Sequence, residues 1–210
     1  YLNEELFARI KTVHDNSANL DLTTEQNRLL DELYKSFVRS GIMLNEADKE
    51  RLREINKELS SLTLKFGNNL LKETNDYKLV IDNEEDLSGL PASVIANAAN
   101  EEGKWVFGLQ KPSWLPFLQY ADNRDLREQL YKAMYMRADN DNDNDNKEVI
   151  NGIVNLRIEK ANLLGYESHA HFILDDNMAK TPENVYGLLN ELWEYALPQA
   201  KAEAAELQKL

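Results

Sequence analysis

Over most of the chain, apolar residues recur at steps of three and four, the spacing that lines one face of a helix. Leu2, Leu6, Ile10 and Val13 form a first stripe that stops at Asp15-Asn16-Ser17, so the chain is expected to open inside a helix. Thr23 followed by Gln26 is a capping-box pair, Leu29, Leu30, Leu33 and Phe37 supply the next stripe, and Gly41 sits where a terminating glycine belongs. Asn45 then caps a long segment in which Leu52, Ile55, Leu59, Leu62, Phe66 and Leu70 keep the same spacing to about Thr74. At Tyr77, Leu79 and Ile81 the period drops to two, which predicts a short strand, and Lys104–Leu109 reads as a second. An acidic loop at Asp82–Asp86 and a short helix opened by Pro91 and closed near Gly103 separate them.

Helical spacing resumes after the second strand. Asn123 caps a stripe of Leu126, Leu130, Ala133 and Met134, a polar tract follows, and Val149–Leu164 forms another helix ended by Gly165. Ser168–Leu174 reads as helical, and Thr181-Pro182 opens a helix through Val185, Leu188, Leu189, Leu192 and Trp193, with a kink possible at Pro198. The last residues, AKAEAAELQKL, are strong helix formers with no stop signal, so the chain is expected to end as it began, inside a helix, like a piece cut from a longer one. The fold class predicted is mainly α: seven or eight helices in a single helical body over 1–210, a minor two-stranded β insertion over 76–110 and a polar inter-helix loop over 139–146.

Composition narrows the function. The 210 residues carry 24 Lys+Arg against 37 Asp+Glu, a net charge of −13, which disfavours nucleic acid and anionic membranes as partners. With 42% apolar residues the chain is globular, and with no cysteine it has neither disulfides nor thiolate chemistry. No apolar run is long enough to span a membrane, and these residues hold no signal peptide.

Candidate chemistry is sparse. There is no HExxH, GxSxG or glycine-rich phosphate loop. The three histidines are His14, His169 and His171, and the last two, two apart on a helix, diverge by about 200° and do not converge on a metal. The alternating tract Asp139–Asn146 resembles a calcium loop but fails its register: from Asp139 the sixth residue is Asn144 rather than Gly and the twelfth Ile150 rather than Glu. It reads as a solvated loop. The acidic pairs Glu4-Glu5, Glu84-Glu85 and Asp175-Asp176 read as solvated faces, and the aromatics Trp105, Phe107, Trp114, Phe117 and Tyr120 as core packing more than a peptide groove.

Three segments together carry a resemblance. Leu44–Asn75, Gly103–Ala138 and above all Leu156–Leu189, with EKANLLGY and DNMAKTPE as its most specific strings, resemble the thimet oligopeptidase-like zinc metallopeptidases, nearest the bacterial dipeptidyl carboxypeptidase (peptidyl-dipeptidase) branch. The match runs in order from about Leu20 onward, and the family's first segment is missing. The resemblance implies a neurolysin-like, zincin-like helical fold whose two halves enclose a deep channel. The zinc, its HExxH and the catalytic glutamate would lie in the C-terminal half, outside this chain. In such an enzyme zinc lowers the pKa of its water towards about 7 and the glutamate takes the proton. On this view residues 1–210 hold no catalytic, cofactor-binding or metal residue and are inactive alone. They wall the channel for short peptides, with the C-terminal catalytic half of the same polypeptide as partner, in a bacterial cytoplasm or periplasm. The alternative is a self-contained acidic helical module that binds basic peptides or a protein helix without catalysis. A severed half would expose a contiguous apolar patch, and a complete module would not.

Overall fold

In a computed structural model of the chain, residues 3–209 are described. It is 70% helical, with nine α-helices and one two-stranded sheet among the described residues. The helices are α1 (Glu4–Asp15), α2 (Thr24–Arg39), α3 (Glu46–Asp76), α4 (Ala92–Ala98), α5 (Lys111–Tyr120), α6 (Arg124–Tyr135), α7 (Lys147–Leu163), α8 (His169–Leu174) and α9 (Pro182–Leu207), with strands β1 (Leu79–Ile81) and β2 (Trp105–Phe107) between α3 and α5. None of these helices is long and apolar enough to cross a membrane. Contacts gather into two compact units, one over Glu58–Val154 and the other from the described residues on either side of it.

Local signals explain most boundaries. The capping box forms, with Thr23 Oγ1 accepting from the Gln26 amide and Gln26 Oε1 accepting from the Thr23 amide. Thr181 caps α9 by accepting from the Asn184 amide, and α9 continues through Pro198. Gly41 adopts φ +86°, and a side chain there would also collide with Leu52. The first helix has a start of its own: Asn3 caps α1 by accepting from the Leu6 amide at 2.9 Å. Leu2 and Leu210 lie outside the described residues, and α9 ends at Leu207. Two expectations fail. The helix between the strands stops at Ala98 rather than near Gly103, because Ala99 turns extended and bridges Trp105. The expected seven or eight helices become nine chiefly through α5, which accommodates Pro112 in its first turn and Pro116 in its interior.

Within Glu58–Val154, β1 and β2 pair antiparallel with Leu79 opposite Phe107 and Ile81 opposite Trp105. Leu79, Ile81 and Phe107 face a core shared with Leu87, Leu90, Phe117 and Leu130, while Val80 is exposed. The aromatics divide accordingly. Phe107 and Phe117 are buried edge to face at 4.7 Å, Trp105 and Trp114 pack at the margin, and Tyr120 stays outside. In the other unit, Phe7, Phe37 and Ile42 form a smaller cluster, Leu52 and Ile55 of α3 are buried, and neither α8 nor α9 buries any residue.

The 139–146 tract is an exposed inter-helix loop over most of its length, and side-chain hydrogen bonds fix its course. The Glu73 carboxylate accepts from the side-chain amides of Asn140, Asn142 and Asn144. Asn146, buried, donates to the Phe66 carbonyl and accepts from buried Asn69 at 2.9 Å. Lys147 Nζ sits 2.8 to 2.9 Å from carboxylate oxygens of Asp139, Asp141 and Asp145, so a lysine stands where a calcium loop would hold its ion. Its hydrogen bonds, helped by the amides of Lys147 and Asp141, bring the Asp145 carboxyl from 3.8 down to about 2. Burial pushes Glu73 up, yet the three asparagine amides outweigh it and hold the group below its ordinary value. Both folded pKa values lie below the unfolded ones, so the stabilisation is present above about pH 4 and is lost as pH falls towards 2. Carboxyl carbon shifts followed by NMR should place the Asp145 midpoint near 2, and a midpoint near 3.8 would contradict the turn as described.

Candidate functional site

A cleft of about 700 Å³ is lined from α2, α3, α7 and α8. Its residues come from the two ends of the sequence, all within one compact unit. On one side Leu29 and Leu33 of α2 remain half exposed although they belong to that helix's apolar stripe. They line the cleft instead of filling a core.

Arg39, at the last turn of α2, organises the opposite wall. Its Nη1 donates to Asp175 Oδ2 at 2.6 Å and to the Tyr166 hydroxyl at 3.2 Å, and its Nη2 donates to the Phe172 carbonyl at 2.6 Å. The guanidinium also lies over the Phe172 ring, 4.5 Å from its centroid. Tyr166 in turn donates to Asp175 at 3.1 Å, and burial together with that carboxylate pushes the phenol pKa up. Only 14% of the Arg39 side chain is exposed, so the fork is spent on holding α8 and its flanking turns in place. Lys35, one turn earlier on α2, pairs with Asp176 at 2.5 Å. The Asp175-Asp176 pair is therefore a set of counter-ions rather than a solvated face. Glu4 is likewise engaged by the buried ammonium of Lys49.

The histidines fall on two helices. His14 in α1 stacks on Tyr34 at 4.0 Å, and His169 and His171 occupy α8, where Ser168 Oγ lies 2.9 Å from His171 Nδ1. Burial lowers the pKa of His169, with the positive charges of Arg157 and Lys160 acting the same way. Among the described residues no group of three His, Cys, Asp or Glu side chains is placed to hold a metal ion.

A second feature is the outer face of α9. Tyr186, Leu189, Leu192 and Trp193 are each more than half exposed and line one shallow depression on that helix, with Leu188 and Tyr195 exposed beside it. Leu188, Leu189, Leu192 and Trp193 of the stripe read in the sequence thus form a bare apolar face in this chain.

Comparison with known proteins gives these features a context. Residues 117–210 match Peptidase family M3. The chain is 35% identical to dipeptidyl carboxypeptidase of Escherichia coli, over 99% of this chain and 31% of that protein. It is 35% identical to oligopeptidase A of Salmonella typhimurium over 98% of this chain and 32% of the relative. With saccharolysin of Saccharomyces cerevisiae the identity is 26%, over 89% and 26% respectively. The chain is related to the M3 peptidases over nearly its whole length, and it spans about a third of the length of the curated relatives it matches.

Proposed function

We propose that the chain is the N-terminal, non-catalytic part of a zinc-dependent peptidase of the peptidyl-dipeptidase or oligopeptidase kind. The single observation that carries this is the 35% identity to dipeptidyl carboxypeptidase over 99% of the chain but only 31% of the relative. The zinc ligands and the general base then belong to the part of the polypeptide beyond these residues, and the whole protein hydrolyses short peptides, releasing C-terminal dipeptides. The unpartnered apolar face of α9 supports the reading, because a segment that packs against a larger catalytic body carries such a surface. The role of the present residues is to wall a substrate channel, which excludes folded proteins and shields the reacting carbonyl from bulk water. The whole protein is a bacterial one of the cytoplasm or periplasm.

The coding sequence of the source beyond Leu210 tests this directly. A helix bearing HExxH, with a glutamate downstream as third ligand, is the expected result. A stop codon soon after Leu210 would overturn it in favour of a self-contained acidic binding module.

A further inference from the structure

The cleft of about 700 Å³ contains five charged side chains, and four of them are neutralised. Glu32 pairs with Arg28, Lys35 with Asp176, and Arg39 with Asp175. Lys160 of α7 differs. Its ammonium is half-buried, donates to Asn56 Oδ1 at 2.7 Å, lies 5.9 Å from the centroid of the Phe172 ring, and has no carboxylate within ion-pair range among the described residues. Burial alone moves its pKa, downwards, so no neighbouring anion offsets the cost of holding the charge there. In a chain with thirteen more acidic than basic residues, this partly buried cation faces the cleft without an acid of its own. The apolar side of the same cleft is supplied by Leu29 and Leu33 together with the Phe172 ring, and Phe172 is held rigid by Arg39.

We propose that the cleft is a carboxylate-binding site: the Lys160 ammonium pairs with the carboxylate of a peptide, and Leu29, Leu33 and Phe172 receive the apolar part next to it. The carboxylate has two possible sources, a peptide's free C-terminus or an aspartate or glutamate side chain within a longer segment. An arginine fork would favour bidentate anions, but Arg39 is spent on Asp175 and Phe172, so the site offers one point charge, which suits a single carboxylate. In naming a peptide as ligand, the proposal rests on the peptidase reading above; the binding itself requires no catalysis.

Binding is tested on the purified 210-residue chain by NMR titration with N-acetyl-leucine, with N-acetyl-leucinamide, which lacks the carboxylate, and with N-acetyl-aspartic acid α-amide, whose only carboxylate is on the side chain. Saturable shifts at Lys160, Asn56 and Phe172 are expected with at least one of the two acids, and binding of the leucinamide should be at least about tenfold weaker. Tighter binding of N-acetyl-leucine assigns a C-terminus, and tighter binding of the aspartate probe assigns an acidic side chain; either supports the site. Lys160→Gln should weaken binding about tenfold while Lys160→Arg stays within about threefold, with unchanged thermal unfolding showing that both variants fold. Equal affinity for the acid and the amide, no saturable shift with any probe, or undiminished binding by a folded Lys160→Gln chain would overturn the proposal. Such a failure leaves the peptidase reading intact, and a missing HExxH would leave the binding result intact, so the two are separable.

Discussion

Replacing Phe117 by alanine is expected to destabilise the unit over Glu58–Val154 by about 3 to 5 kcal/mol, the range for removing a buried aromatic and leaving a cavity. Phe117 is fully buried, meets Phe107 edge to face at 4.7 Å, and joins α5 to the two-stranded sheet and to Leu130 of α6. No smaller side chain reaches all three neighbours, and the site is enclosed by elements that pack against one another, so it relaxes only partly. A loss of this size is a large share of the total stability of an ordinary domain. Urea unfolding followed by the fluorescence of Trp105 and Trp114, both at the margin of this core, measures it. Tyr120→Ala on the same helix is the control: its side chain is exposed, and the expected change is within about 0.5 kcal/mol. Equal effects at the two positions would mean that α5 does not face the core as described.

Arg39→Met is expected to cost about 2 to 3 kcal/mol in the other unit. The methionine keeps much of the packing on Phe172 but removes every donor to Asp175, Tyr166 and the Phe172 carbonyl. Losing one partner of a buried ion pair costs about 3 to 5 kcal/mol where the remaining charge is trapped. Asp175 is 46% exposed and keeps the Tyr166 hydroxyl, which lowers the figure. Arg39→Lys is expected to restore little, because one ammonium cannot serve a carboxylate and a carbonyl from a planar fork. Amide hydrogen exchange over α2, α8 and α9, read apart from that over α5 and α6, shows whether the loss is confined to the Arg39 unit. Protection in α8 unchanged by Arg39→Met would contradict the role given to this network.

How legible all this was depends on whether a feature is written in neighbouring residues. Capping and termination are local, so Thr23-Gln26, Thr181-Pro182, Gly41 and Gly165 mark ends that the structure keeps. The period change at Tyr77 is also local, and both strands form. Helix α5 is hidden in the sequence because two prolines within Lys111–Tyr120 mask its pattern, although the first turn tolerates Pro112 and packing holds Pro116. The tract 139–146 was legible as a turn but not as a fixed one, since its organiser, Glu73, lies far back in α3. The same applies to the cleft. Arg39 and Asp175 are separated by 136 positions, and Lys160 reads in sequence as one more lysine on a polar helix face. The signal that would have helped is weak but present: Asp175-Asp176 is an acidic pair at the end of an apolar helix, the position at which a basic partner from another element is needed.

On the function proposed above, these residues serve a zinc peptidase without containing its catalytic apparatus. The most direct measurement is hydrolysis of an N-blocked tripeptide with a free C-terminus by the purified 210-residue chain, with and without zinc, beside the longer product of its reading frame. No zinc-dependent cleavage is expected from the 210-residue chain, and release of a C-terminal dipeptide is expected from the longer one. Zinc-dependent cleavage by the 210-residue chain alone would contradict the proposed function.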